Sequence, residues 1–263
     1  DVVSCTSSYL SSVQGSVELE VGGKGRVRVG SPGVWSAGNG ITLGGPVDVS
    51  GSGVFTLDSD SDLDGVGTLS LPVTSNVSVT SVSVTGLSVI AADMDVMCQV
   101  RAGSASVTLQ STNSSGMQVG SSVSGGFSVT DVELDRIETA GVLTLGGILT
   151  SKVDVDGFTY SGGASEVRVL ALKHSNSAVS FTGDASSFVQ SLYVGSRGGV
   201  VLANVTSSGV MSVDGNVDCS SSGSEVVVLE GATVSSGNSL MTLKGSDMVL
   251  NGSLSSGLSL TTV

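Results

Sequence analysis

The chain has 263 residues, with 23 Asp and Glu against 10 Lys and Arg, a formal net charge of −13, 38 glycines and 3% aromatics. That charge repels nucleic acid and anionic lipid, so neither is an expected partner. A mean hydropathy of +0.38 separates the chain from disordered Gly/Ser linkers, yet no apolar run approaches the ~18 residues of a membrane-spanning helix.

Short alternating segments run along the whole chain, and each predicts a strand with one buried face. SVELEV (16–21) and GRVRVG (25–30) come first, joined by GGKG (22–25), which reads as a turn rather than a phosphate cradle. Trp35 is placed in a turn near Pro32, and the three prolines, Pro32, Pro46 and Pro72, all suit turns.

The next segment carries the strongest chemical signal. Asp58, Asp60, Asp62 and Asp64 alternate along DSDSDLDG and are followed by Gly65. Asp60, Asp62, Asp64 and Gly65 reproduce the first half of an EF-hand-type calcium loop, in which alternate carboxylates converge on a hard cation and Gly permits the sharp turn. The second half is missing, because Leu71 stands where the bidentate Glu belongs. A structural Ca²⁺ of weak affinity, on the order of 0.1–1 mM, is the expected cofactor. The competing reading is a solvated acidic turn.

NVSVTSVSVTG (76–86) follows, and its apolar phase slips between Val79 and Val82. In a flat sheet that slip flips the buried face, so it predicts a corner here. The segment opens on the first of four sequons, at Asn76, Asn113, Asn204 and Asn251, which are candidate glycosylation sites of a secreted chain. FSVTDVELDRIETAG (127–141) breaks the strand rule. Thr130 and Glu133 have capping-box spacing, and Val132, Leu134 and Ile137 are expected to anchor one helical turn.

SEVRVLAL (165–172) and SEVVVL (224–229) predict further strands, and His174, the only histidine, lies between strands as a turn residue. No nucleophile elbow, phosphate loop or Cys/His metal spacing is present, so no enzymatic activity is expected. Cys5, Cys98 and Cys219 lie 93 and 121 residues apart. In a stack of short repeats such separations exceed the ~7 Å reach of a disulfide, so Cys98 and Cys219 are expected as buried thiols and Cys5 as an interchain linker.

The last part of the chain discloses the repeat. ATVSSGNSLMTLKGSDMVLNGSLSSGLSL (232–260) reads as successive units of strand, Ser-Ser-Gly turn and strand. LSVIAADMDVMCQVRAG (87–103) aligns with LMTLKGSDMVLNGSLSSG (240–257), placing Asp93 on Asp247 and Gly103 on Gly257. Self-similarity of about 20 residues is the signature of a solenoid, in which each unit buries its apolar side against its neighbours. LSLTTV (258–263) ends without a cap, which predicts stacking against other copies or flanking segments. The first residue is Asp1 rather than Met, so the chain reads as processed or as part of something longer.

TDVELDRIETAGVLTLGG (130–147) and LDSDSDLDGVGTLSL (57–71) resemble the phrasing of filamentous-haemagglutinin-like β-strand repeat proteins, and a looser likeness covers most of residues 40–263. The resemblance implies a right-handed parallel β-solenoid in a long extracellular protein, an adhesin or fibre. The secretion domain found at the N-terminus of bacterial adhesins of that kind is missing from this chain.

The expectation is therefore an all-β chain, a right-handed parallel β-solenoid (β-helix) with short irregular rungs of about 20 residues, continuous over 1–263. Its expected role is a secreted structural or adhesive module of a cell-surface fibre, with other copies and surface glycans as partners. The second reading is a carbohydrate-active or carbohydrate-binding solenoid, which an acidic groove with aromatic walls would mark.

Overall fold

The computed structural model describes residues 2–5, 9–12, 15–19, 25–30, 33–121, 126–217 and 224–263, with side chains from residue 15 onward. Except for one four-residue helix, Asp131–Leu134, the regular elements are short strands paired in parallel. The chain forms two compact units, one of residues 1–114, 132–143 and 162–164, the other of residues 115–131, 144–161 and 165–263.

Three stacks build the first unit. Stack I contains Val2–Cys5, Arg26–Val29, Pro46–Val49, Asn76–Val79, Val100–Gly103 and Ile137–Thr139, in that order. Stack II contains Tyr9–Ser12, Val34–Ala37, Gly53–Asp58, Val84–Ala91 and Ser106–Ser111. Stack III contains Val17–Leu19, Gly40–Leu43, Thr68–Leu71 and Asp93–Val96. The chain visits I, II and III in turn, so period-2 alternation places every second side chain inside.

The registers align those side chains in columns. Val27, Val47, Val77, Val100 and Ile137 face one another down stack I. Trp35, Leu57, Val89 and Leu109 do the same down stack II, and Ile41, Leu69 and Met94 down stack III. All are at most 4% exposed. The apolar interior between Leu57, Leu71, Met94 and Ile137 leaves only about 10 Å³ free, too little for a ligand.

The second unit repeats the plan. Stack IV runs Phe127–Val129, Met117–Gly120, Lys152–Asp156, Ala178–Phe181, Val200–Leu202, Glu225–Val228 and Asp247–Leu250. Stack V runs Thr159–Tyr160, Ser186–Phe188, Val205–Ser207, Thr233–Ser235 and Ser253–Ser255, and stack VI runs Glu166–Ala171, Ser191–Ser196, Met211–Asp214, Met241–Lys244 and Thr261–Thr262. Its interior holds an aromatic cluster in which Phe158 meets Phe188 at 5.4 Å and Phe181 meets Phe188 at 6.3 Å between ring centres.

The Ser-Ser-Gly phrase has a physical explanation here. Ser236 and Ser256 turn inward and donate to the carbonyls of Ser239 and Ser259, each at 2.6 Å, while Gly237 and Gly257 follow at φ +60° and +61°. A buried hydroxyl closes the corner, and glycine supplies the left-handed residue that the turn needs.

Several expectations take a different form in the structure. Partners in adjacent strands lie from 10 residues apart, as for Met117 and Phe127, to 37, as for Val100 and Ile137. Only the strands must match, so corners absorb insertions such as residues 59–67 at small entropic cost. Trp35 does not fill a turn but points inward from Val34–Ala37, 1% exposed and edge-on to Phe55 at 5.0 Å; Pro32 lies outside the described residues. The predicted corner falls between Asn76–Val79 and Val84–Ala91, where Val82 is 90% exposed.

The helical turn forms, but Val132 is 60% exposed and only Leu134 and Ile137 are buried. At about 100° per residue, Val132 and Leu134 cannot both face inward. This segment also finishes stack III: the N–H of Val96 donates to Glu133 Oε1 at 3.2 Å, and Arg136 Nη1 donates to the Val96 carbonyl. Two side chains thus occupy hydrogen-bonding positions at an edge where no further strand adds among the described residues. Cys98 is a buried free thiol whose pKa burial raises, which makes it unreactive. Cys219 and the side chain of Cys5 lie outside the described residues.

Candidate functional site

The acidic loop leaves stack II at Asp58 and rejoins stack III at Thr68. Asp60 organises it. This residue is fully buried, and its carboxylate accepts from Asp64 N–H at 3.2 Å, from Gly65 N–H at 3.1 Å and from the Thr112 hydroxyl at 2.5 Å. A further turn bond runs from Leu63 N–H to the Asp60 carbonyl at 3.1 Å and holds Leu63 at φ +57°, a conformation unusual for a leucine.

Asp60, Asp62 and Asp64 can each place a carboxylate oxygen within 4.8 Å of the others, with Asp62 and Asp64 exposed. Asp58 stands outside this group. It ends its strand half-buried and accepts weakly from Asp60 N–H at 3.4 Å. The loop therefore gathers three of the four predicted carboxylates, and they form the only such group of three among the described residues. Three oxygen donors are a suitable start for a hard cation such as Ca²⁺, whose remaining sites backbone carbonyls or water would fill.

Burial holds the Asp60 carboxyl above its ordinary pKa, outweighing the Thr112 and Gly65 hydrogen bonds that act in the opposite sense. Asp58 is raised chiefly by burial as well, with the charges of Asp60 and Asp62 adding to it. A carboxyl whose folded pKa is raised binds its proton more tightly in the folded state. Its protonated form favours folding, and stability is lost as pH rises from the unfolded value of about 3.9 through the folded one. Asp60→Asn removes this dependence, so the destabilisation caused by Asp60→Asn is expected to be larger at pH 4 than at pH 7. Urea titrations of both proteins in calcium-free buffer at the two pH values check this, and a cost that grows with pH contradicts it.

The sequons occupy different settings. Asn76, Asn204 and Asn251 are exposed, and Asn113 is half-buried. Asn204 sits at φ +49°, and its Oδ1 accepts from Thr233 N–H at 3.0 Å, tying one rung of stack V to the next. His174 is exposed in a turn closed by its own backbone N–H to Ser177 Oγ at 2.8 Å. Of the described aromatic side chains, Trp35, Tyr160 and all five phenylalanines are buried, and Tyr193 is half-buried on the outward face of Ser191–Ser196.

Two surface features were hidden in the sequence. Thr159, Ser187, Thr206, Ser235 and Ser255 form one outward column on stack V, five hydroxyls in register. Threonine itself is not retained from rung to rung, which is why matching the letters does not disclose the column. The second is an open surface hollow of about 500 Å³ in the first unit, lined by Arg101, Gly103, Glu138, Thr139, Ala140 and Gly163. Its charged residues are 37 positions apart and become neighbours only through the Arg101–Glu138 register.

No helix among the described residues is long and apolar enough to cross a membrane. No protein-family model, no curated protein and no solved structure matches this chain.

Proposed function

We propose that this chain is a right-handed parallel β-solenoid serving as a rigid structural or adhesive module of a secreted, cell-surface fibre, without enzymatic activity. The observation that carries this reading is the set of parallel, in-register stacks in each unit, with apolar columns such as Val27, Val47, Val77, Val100 and Ile137 filling the interior. Such an interior has stiffness and no room for a substrate. The resemblance of residues 130–147 and 57–71 to filamentous-haemagglutinin-like proteins supports the same reading.

In this role the acidic loop holds a structural Ca²⁺ through Asp60, Asp62 and Asp64, fixing an inserted corner. In the fibre, other copies or flanking segments stack end to end with this chain. Small-angle scattering of the full chain tests the rod: an elongated profile with a constant cross-section is expected, and a compact globular profile contradicts it. In the same samples chelation lowers the melting temperature, because an ion that binds only the folded state stabilises it. An unchanged melting curve removes the calcium.

A further inference from the structure

The hollow at Arg101 and Glu138 lies where the regular stack is interrupted. Arg101 faces Glu138 and Gly103 faces Thr139, so Ala102 is an extra residue bulged out of the ladder. Gly103 then turns at φ +59°. A bulge followed by a left-handed residue bends the strand and redirects the neighbouring side chains, a device common beside binding sites. The floor consists of Gly103, Ala140 and Gly163, which add almost no side chain. A smaller hollow lined by Val79–Val82 and Ala102–Ser104 adjoins it at Gly103, and the two together are the corner groove of the first unit.

The polar equipment of this groove is specific. Arg101 is braced from two sides, Nη2 donating to Gln99 Oε1 at 2.7 Å and Nε standing 3.4 Å from Glu138 Oε2. Both charged side chains remain more than half exposed, at 57% and 55%. Thr139 is already committed, donating to the Ala105 carbonyl at 2.6 Å and accepting from Gly141 N–H at 2.9 Å. The groove thus presents spare guanidinium N–H donors beside carboxylate acceptors, held together as a neutral pair. A sugar hydroxyl is both donor and acceptor and can bridge such a pair without breaking it. A zwitterion would have to break it, and an anion meets the field of a chain with net charge −13.

We infer that this corner groove binds a short, uncharged oligosaccharide, with Arg101 and Glu138 engaging its hydroxyls and exposed Val82 packing on its carbon face. The inference rests on the adhesive-module reading and gives it a location. A printed array of neutral and sialylated oligosaccharides, probed with the full chain, is the test. The intact protein retains neutral glycans. Arg101→Ala and Glu138→Ala each weaken binding at least about tenfold, as expected when a charge-assisted hydrogen bond is removed, with unchanged circular dichroism and melting because an exposed ion pair adds little stability. Gly163→Trp, at an exposed position, fills the groove and abolishes binding, whereas Arg168→Ala, paired to Glu166 in the second unit, does not. Retention of no neutral glycan, retention of sialylated glycans alone, or wild-type binding by Gly163→Trp overturns the inference. None of these outcomes alters the scattering profile, so the solenoid reading stands or falls separately.

Discussion

Gly67→Ala is expected to destabilise the first unit by on the order of 4 kcal/mol, among the largest effects of any single methyl group in this chain. Gly67 carries the acidic loop into stack III at φ +150°, and its carbonyl accepts from Ala92 N–H at 2.9 Å in the next rung. A Cβ at this position would fall within the van der Waals shells of the Ser59 and Gly38 carbonyls, which are fixed backbone groups that cannot rotate away. Gly65→Ala supplies the comparison. Gly65 also has positive φ, +83°, but a Cβ there meets nothing within 4 Å, so it adds only the left-handed penalty of about 1–2 kcal/mol. Urea midpoints for both variants separate the two costs, and equal losses would remove the packing argument.

Phe188→Ala is the second large effect, about 3–5 kcal/mol. Phe188 is 2% exposed, lies between Tyr160 and Ser207 in register, and meets both Phe158 and Phe181 edge-on. Truncation leaves a cavity that the strands cannot close, because every rung is pinned by ladders to the rungs on both sides. Phe188→Leu retains most of the volume and should lose less than about 1.5 kcal/mol. Denaturation with an unchanged m-value measures both. A loss below about 1 kcal/mol for the alanine variant would mean that the aromatic cluster is not packed as described.

Strands, inward faces and the corner at Val82 were legible in the sequence because period-2 alternation is local, and so was the loop at Asp60, whose carboxylates lie two residues apart over 60–64. The position of Trp35 was not, since a single aromatic beside a proline fits a turn or a core equally well until Phe55 is known to stand opposite. Asp58 shares the alternation of Asp60, Asp62 and Asp64, but it ends a strand, and the turn at Leu63 gathers only the residues that follow it. The Arg101–Glu138 hollow and the stack V hydroxyl column depend on registers of 19 to 37 residues, set by insertions at corners that no fixed repeat length anticipates.

The stacking of rungs itself is tested most directly by cross-linking across the register, in a chain whose native cysteines are replaced. Thr206 faces Ser235 on stack V, and Ser235 faces Ser255. Adjacent parallel strands lie ~4.8 Å apart, within the Cα range of a disulfide, whereas two rungs span ~9.6 Å, beyond it. Thr206→Cys combined with Ser235→Cys is predicted to oxidise to an intramolecular disulfide without loss of circular dichroism, while Thr206→Cys combined with Ser255→Cys stays reduced. Ready oxidation of the second pair, or none in the first, contradicts the stacked-rung account.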